Sequence, residues 1–487
     1  MDFLNRRIWF GLFVVGLLTT CGDSDRPAGT VLDAGVSPDA GATPDAEVPT
    51  PDVEAIPDAG ASPDAGADTD TVPTPDGGGT GGTAPPAPPD DGGPDSSPDL
   101  QPGVDARNYE DFFQIDQIHQ IDVIIPAAEW DAFLLENQAV NTVPIWRQAD
   151  FRIDGVMTTR VGFKTFGFGS RVENPGKPNL NLDFNRNVIG QSHHGIGKMR
   201  LKNNGQDPSA LRQAITYEAM RASGLLAPRS SYAELSVNGQ PFGFYFIEEA
   251  FSRAFVKERT GNDNGAGYEA DDCQGFVPPE PGGCPALPMR YLRSFNAVVG
   301  TGEDLAMLCS VMNGPATDFV AGVSSLIKLD EWLGAVAADT AIAGNYDGYS
   351  TNGANFRLYH DTALNRLRIV ILGPDTTYDP NFSPDPSVPK PDDNCLIANP
   401  QYRDVFLEKL RGTPEGVEMY KQAVRTLRQG AMAPAMLKAR VDALWTAIGD
   451  HAKADLHRVP TADPEASKEQ IKRYIDLRDA DLTAKGF

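Results

Sequence analysis

The chain has 487 residues, with 67 Asp and Glu against 42 Lys and Arg and a net charge of −25. Its first hundred residues are too rich in Pro, Asp, Gly and Ala to contribute a core, which leaves the folded part smaller than the length suggests. Residues 22–105 carry eighteen acidic residues against Arg26 alone, so roughly two thirds of the net charge lies outside the folded part, and no basic groove is left to make nucleic acid the main partner.

Met1 to Cys21 has a basic start at Arg6 and Arg7, an apolar run from Ile8 to Leu18, and then Leu18-Thr19-Thr20-Cys21. The run is short for a bilayer span and reads as a signal peptide. Small residues before a Cys resemble the lipobox of bacterial lipoproteins, which makes Cys21 the expected lipidation site and the protein exported and lipid-anchored to the cell envelope. Residues 22–110 form a disordered tether in this reading, with Pro-Asp-Ala-Gly recurring at Pro38, Pro57 and Pro63. Using Cys21 for lipid leaves Cys273, Cys284, Cys309 and Cys395, an even set with three possible pairings. Loop length favours Cys273 with Cys284, which leaves Cys309 for Cys395. A zinc site is disfavoured, because there is no C-x-x-C and the six His are scattered.

The folded domain, 111–487, opens with a strand at Ile118 to Ile125, and Pro126 starts a helix around Trp130 and Phe133. Strands are expected at Ala149 to Ile153 and Thr159 to Phe166. A glycine-rich stretch follows, with Gly167 and Gly169 before Arg171, and Lys177 to Phe184 alternates like a half-buried strand. Asp207-Pro208 reads as the start of a helix ended by Gly224. Ser231 to Val237 and Phe242 to Ile247 flank Asn238-Gly239, a favoured hairpin turn. Beyond residue 250 the chain turns mostly helical after an irregular cysteine-bearing stretch, Gly261 to Val323. The expected architecture is α+β, with a strand-rich lobe over about 111–250 and a helical lobe over about 251–487.

Chemistry concentrates at Asn345-Tyr346-Asp347-Gly348-Tyr349-Ser350-Thr351-Asn352, between a predicted helix (Leu329 to Ala343) and two predicted strands (Asn355 to Tyr359, Arg366 to Leu372), with Asp375 following. An Asp, an Asn five positions on and a second Asp after two strands suit a general base and two oxygen ligands around a metal-bound nucleotide. Taken alone, Asp and Asn in loops are more often turn formers, and a Lys at a strand start is more often simply solvated.

Several linked stretches resemble the CotH kinases, secreted proteins with an atypical, bilobal protein-kinase-like fold. These are Pro126-Ala127-Ala128-Glu129-Trp130-Asp131, the Phe163-to-Arg171 glycine turn, Lys177-Pro178-Asn179-Leu180, Leu201-Lys202-Asn203-Asn204-Gly205-Gln206-Asp207-Pro208-Ser209, Gly243-Phe244-Tyr245 ending in Glu249, and Asn345 through Tyr359. The resemblance implies Asp347 as the catalytic Asp, Asn352 and Asp375 as metal ligands, and Lys177 as the phosphate-contacting lysine. Arg171 and the amides around Gly167 and Gly169 would line the phosphates, and Glu249 is a family position near the interlobe segment. It implies ATP with Mg or Mn and a protein or surface acceptor hydroxyl. One departure stands out: the family's Pro-Trp-Asp-x-Asp is here Leu372-Gly373-Pro374-Asp375, with the first Asp replaced by Gly373 and the Trp lost. The alternative is a catalytically inactive, kinase-like surface lipoprotein serving as a structural or adhesion scaffold. A polymer hydrolase finds no acid–nucleophile pair.

Overall fold

A computed structural model describes residues 111–139, 142–270, 275–276, 278, 282–295, 302–315, 318–380 and 404–487. Seven strands close a barrel in the order β1-β2-β3-β4-β5-β7-β6: β1 (Ile118–Ile124), β2 (Arg147–Ile153), β3 (Val156–Lys164), β4 (Leu180–Asp183), β5 (Lys198–Lys202), β6 (Ser230–Val237) and β7 (Gln240–Glu249). The neighbours are antiparallel except β1 and β6, whose parallel register pairs Ile121 with Leu235 and shuts the barrel. Closure removes the edge an open sheet would expose. The barrel's parallel pair is confined to that seam.

Alternation decides what the barrel holds. Phe151, Val161, Phe163, Leu182, Met199, Leu201 and Ile247 are buried in one apolar cluster, and the helix Ala127–Gln138 adds Trp130 and Phe133 to it. Asn238 and Gly239 both take positive φ, 51° and 76°, as a two-residue hairpin turn between right-twisted strands requires.

The expected helix after Asp207-Pro208 begins later, at Arg212, and runs to Ala222. Asp207 still serves it, since Oδ2 accepts from the Arg212 amide at 2.7 Å. The stretch read as irregular contains β8 (Gly267–Ala270), β9 (Tyr291–Phe295) and the helix Glu303–Asn313. With β10 (Phe356–Asp361) and β11 (Arg366–Ile371), β8 and β9 make a second, four-stranded sheet ordered β11-β10-β8-β9. The large apolar cluster joins this sheet to the helix Arg212–Ala222 and the C-terminal helices Pro414–Gln429, Pro434–Ala454 and Pro464–Ala484.

Cys284 is bonded to Cys309. This corrects the expected partners of both residues: the short helical turn Cys284–Arg290 packs beside the helix Glu303–Asn313, and that tertiary placement outweighs the shorter loop to Cys273. Cys273, Cys395 and the Cys21 segment lie outside the described residues. Among the described residues, no helix is long and apolar enough to cross a membrane.

Candidate active site

The helix that begins at Leu329 changes pitch before the site. Leu329–Val336 is α-helical and Ala337–Ile342 widens into a π-turn, fully buried, that presents Asp339 toward the loop after it. Gly344, at φ 64°, releases the chain from the helix; a Cβ there would meet the Tyr474 hydroxyl at 1.9 Å. The Asn345 side chain then holds three partners. Its Nδ2 donates to Asp339 Oδ1 (2.9 Å), and its Oδ1 accepts from Thr376 Oγ1 (2.6 Å) and from the Asp347 amide (3.3 Å). Burial pushes the Asp339 carboxyl up to about 7, against the lowering effect of the Asn345 hydrogen bond.

Asp347 is oriented from two sides. Its amide donates to Thr376 Oγ1 (3.1 Å), and Asn355 Nδ2 donates both to its carbonyl (2.6 Å) and to its Oδ2 (2.9 Å). Asn355 does this from positive φ, 55°, a conformation Asn tolerates. Asn352 closes the short helix Tyr349–Asn352 five residues after Asp347, with its side chain outside the described set.

Asp375 follows β11 and sits 3.3 Å from the ammonium of Lys202, the last residue of β5, which also donates to Gln213 Oε1 at 3.0 Å. Burial works against the charge on Lys202, yet Asp375 and then Glu248 outweigh it and hold its pKa above the ordinary lysine value. Gly373, at φ 55°, donates its amide to the Tyr217 hydroxyl (2.8 Å), which donates to Glu248 Oε2 (2.7 Å). A Cβ at Gly373 would lie 3.1 Å from Asn355 Oδ1 and 3.5 Å from Lys202 Nζ, so this glycine adjoins both the Asp347 loop and the Lys202–Asp375 pair. Thr376 connects the two carboxylates: it follows Asp375 in sequence and contacts Asp347 and Asn345.

Outside the barrel, the residues that alternate with the core form a cationic face. Register places Lys164, Asn181, Arg200 and Glu248 in one row across β3, β4, β5 and β7. Lys164 Nζ lies 5.0 Å and Arg186 Cζ 4.1 Å from the Trp146 ring centroid, and Arg200 is 5.4 Å from that of Phe166. Arg186 reaches this face across Gly162, where a Cβ would strike its side chain at 2.7 Å. Burial, followed by repulsion from Arg200 and Arg186, lowers Lys164 to about 8. Trp146, Arg200, Lys198, Asp183, Phe251, Glu269 and Arg357 line a cavity between this face and the second sheet.

Two expected phosphate contacts, Lys177 and Arg171, and the family position Glu249 have partners of their own. Lys177 is 0 % exposed; its Nζ donates to Asp455 Oδ2 and to Phe244 O, each at 2.5 Å, and lies 4.5 Å from the Tyr245 ring centroid. Arg171 donates to the carbonyls of Glu136, Asn137 and Ala139, capping the C-terminal end of the helix Ala127–Gln138. Glu249 is 1 % exposed and paired with Arg259, and its Oε2 also accepts from the Arg229 amide. Gly167 and Gly169 do form a tight turn, at φ 80° for Gly167, but it packs on Ser170, Asn179 and Gln206. Lys202, Glu248, Arg200 and Lys164, which the structure brings to this candidate site, were not expected there from the sequence. The visible signal was Lys198-x-Arg200-x-Lys202, a period-two run of cations on a strand whose alternate residues are Met199 and Leu201.

The fold and this cluster define a mixed α+β protein in which two loop carboxylates and a buried lysine meet beside a cationic barrel face. A family model described as CotH kinase protein matches residues 165–482, about two thirds of the chain, and the chain belongs to that family. The match takes in the C-terminal helices as far as residue 482. The chain is also similar to inner spore coat protein H of Bacillus subtilis (strain 168), 24% identical over 196 residues, covering 39% of this chain and 52% of that protein. It thus spans about half the length of the curated relative it matches.

Proposed function

We propose that this protein is an exported kinase-like phosphotransferase that moves a phosphoryl group from a metal-bound nucleotide, ATP in the first instance, to an acceptor hydroxyl on a protein or cell-surface component. The observation that carries the reading is the Lys202–Asp375 pair, linked through Thr376 and Asn345 to Asp347. Positioning and charge neutralisation are the main demands of such a transfer, and this cluster supplies both. Asp347, held by Asn355, accepts or orients the acceptor proton. Lys202 takes the phosphate-neutralising role first expected of Lys177. The described residues contain no cluster of three or more His, Cys, Asp or Glu suited to a metal. Mg or Mn bound the usual way takes one or two carboxylates plus substrate phosphates rather than an all-protein cage, and Asp375 supplies such a carboxylate. Asp375 and Asn352 would hold the ion, which would neutralise charge on the transferred group. The bilobal kinase-like division belongs to the same proposal, with the nucleotide lying against the cationic face of β3 to β5.

The test uses the pKa of Lys164. A lysine depressed to about 8 contributes to stability above its ordinary pKa of 10.5, and that contribution is lost as pH falls through about 8, where it becomes charged among Arg200, Arg186 and Lys198. A bound polyphosphate offsets this repulsion. ATP affinity, measured by calorimetry with Mg, should therefore fall roughly fivefold from pH 7 to pH 9, and Lys164→Met should flatten the profile. An unchanged slope in the variant would remove the phosphates from this face.

The name of the Bacillus relative places that protein in the inner spore coat, and by extension we assign this chain to a surface setting. Lipid on Cys21 is the anchor in this reading. Cys21→Ser should shift the protein from the membrane fraction to the soluble fraction; retention on membranes after a high-salt wash would refute the anchor.

A further inference from the structure

We propose that Asp339 is a positioning residue for Asp347: from the π-turn it grips Asn345 and the Gly348 turn, and so fixes the loop that carries the acceptor-facing carboxylate. The inference rests on the phosphoryl-transfer reading for its consequence and on geometry for its substance. Asp339 is 0 % exposed, and the loop is tied to it twice, by the Asn345 amide to its carbonyl (2.9 Å) and by Asn345 Nδ2 to its Oδ1 (2.9 Å). Its Oδ2 is also buried and faces Gly348, and the Tyr349 amide next in the chain lowers the carboxyl's pKa against the effect of burial. A Cβ at Gly348 would lie 2.4 Å from that oxygen and 2.8 Å from Asn345 Nδ2. Gly348 has an ordinary φ of −97°, so it is the approach of the carboxyl, and no backbone requirement, that excludes a side chain.

The widened turn explains how Asp339 reaches this place. An extra residue in the turn rotates its side chain away from the register of Leu329–Val336 and toward the helix end, where π-turns tend to serve functional sites. From Asn345 the connection runs by Thr376 to both Asp347 and the Asp375 segment. Loosening Asp339 should therefore leave nucleotide contacts in place and let Asp347 wander.

The experiment compares the parent with Asp339→Ala, Asp339→Asn and Gly348→Ala in the full chain. Amide exchange by mass spectrometry is read over residues 344–353 and over β5 and β7, and kcat and KM for Mg-ATP are read in transfer to casein. Asp339→Ala should speed exchange in the loop about tenfold with β5 and β7 unchanged, and lower kcat about tenfold with KM within about twofold. Asp339→Asn keeps an acceptor for Asn345 and should recover most of both losses. Gly348→Ala, which leaves the buried helix intact, should open the same loop, so the proposal stays testable if Asp339→Ala does not fold. Unchanged loop exchange in Gly348→Ala and in any folded Asp339→Ala, or faster exchange spread evenly over the barrel, overturns it. If the parent transfers no phosphate, the phosphoryl-transfer reading falls while the exchange data still decide whether Asp339 holds the loop.

Discussion

Asp375→Ala should abolish metal-dependent nucleotide binding, whereas Asp347→Ala should leave binding within about threefold of the parent and cut phosphoryl transfer by roughly a hundredfold or more. The asymmetry follows from what each carboxylate touches. Asp375 pairs with Lys202, so its loss removes a metal ligand and the stronger of the two carboxylates, ahead of Glu248, that hold the buried ammonium charged against Arg200. Asp347 is held by Asn355 and Thr376, on the loop that follows the π-turn. If both carboxylates only shaped turns, each substitution would lower the melting temperature and neither would separate binding from chemistry.

Lys177→Met and Lys202→Met should differ in nucleotide affinity although both disturb a buried pair. Lys177 is the buried partner of Asp455, and removing one member of such a pair costs about 3–5 kcal/mol because the other charge stays behind. The cost should appear as a lower unfolding midpoint in urea, with nucleotide affinity of the folded fraction little changed. The double variant Lys177→Met with Asp455→Leu should recover much of the lost stability, since no charge is then stranded. Lys202→Met also strands a carboxylate, Asp375, and should lower the midpoint too, but unlike Lys177→Met it should lose at least about tenfold in ATP affinity of the folded fraction. A Lys177→Met protein of parental stability that no longer binds nucleotide would restore Lys177 to the phosphate site.

What could be read without coordinates was local. Asn238-Gly239 marks the β6–β7 hairpin, and Asp347 and Asp375 fall on loops at the ends of predicted elements, as observed, whereas the alternation of Lys198, Arg200 and Lys202 with Met199 and Leu201 held the signal of β5 without being read as a strand. The misses share a cause in long-range packing. Lys177 and Lys202 both sit on or beside strands, and the choice between them is made by Asp455, 278 residues beyond Lys177. The parallel β1–β6 seam spans more than a hundred residues and leaves no trace in either strand's pattern. Loop length favoured a Cys273–Cys284 bridge, but the packing of two short helices brought Cys309 to Cys284 instead. The π-turn at Ala337–Ile342 has helical periodicity on both sides, so nothing local announces that Asp339 leaves the register.

The central claim is that Lys202, Asp375 and the Asp347 loop form a metal-dependent nucleotide site. Calorimetric titration of the full chain with ATP, first with Mg or Mn and then with the metal chelated, tests it most directly. The account predicts saturable binding that needs the metal and disappears in Asp375→Ala. No heat of binding with either metal, in a protein that unfolds cooperatively, would contradict the phosphotransferase reading and leave a kinase-like surface scaffold in its place.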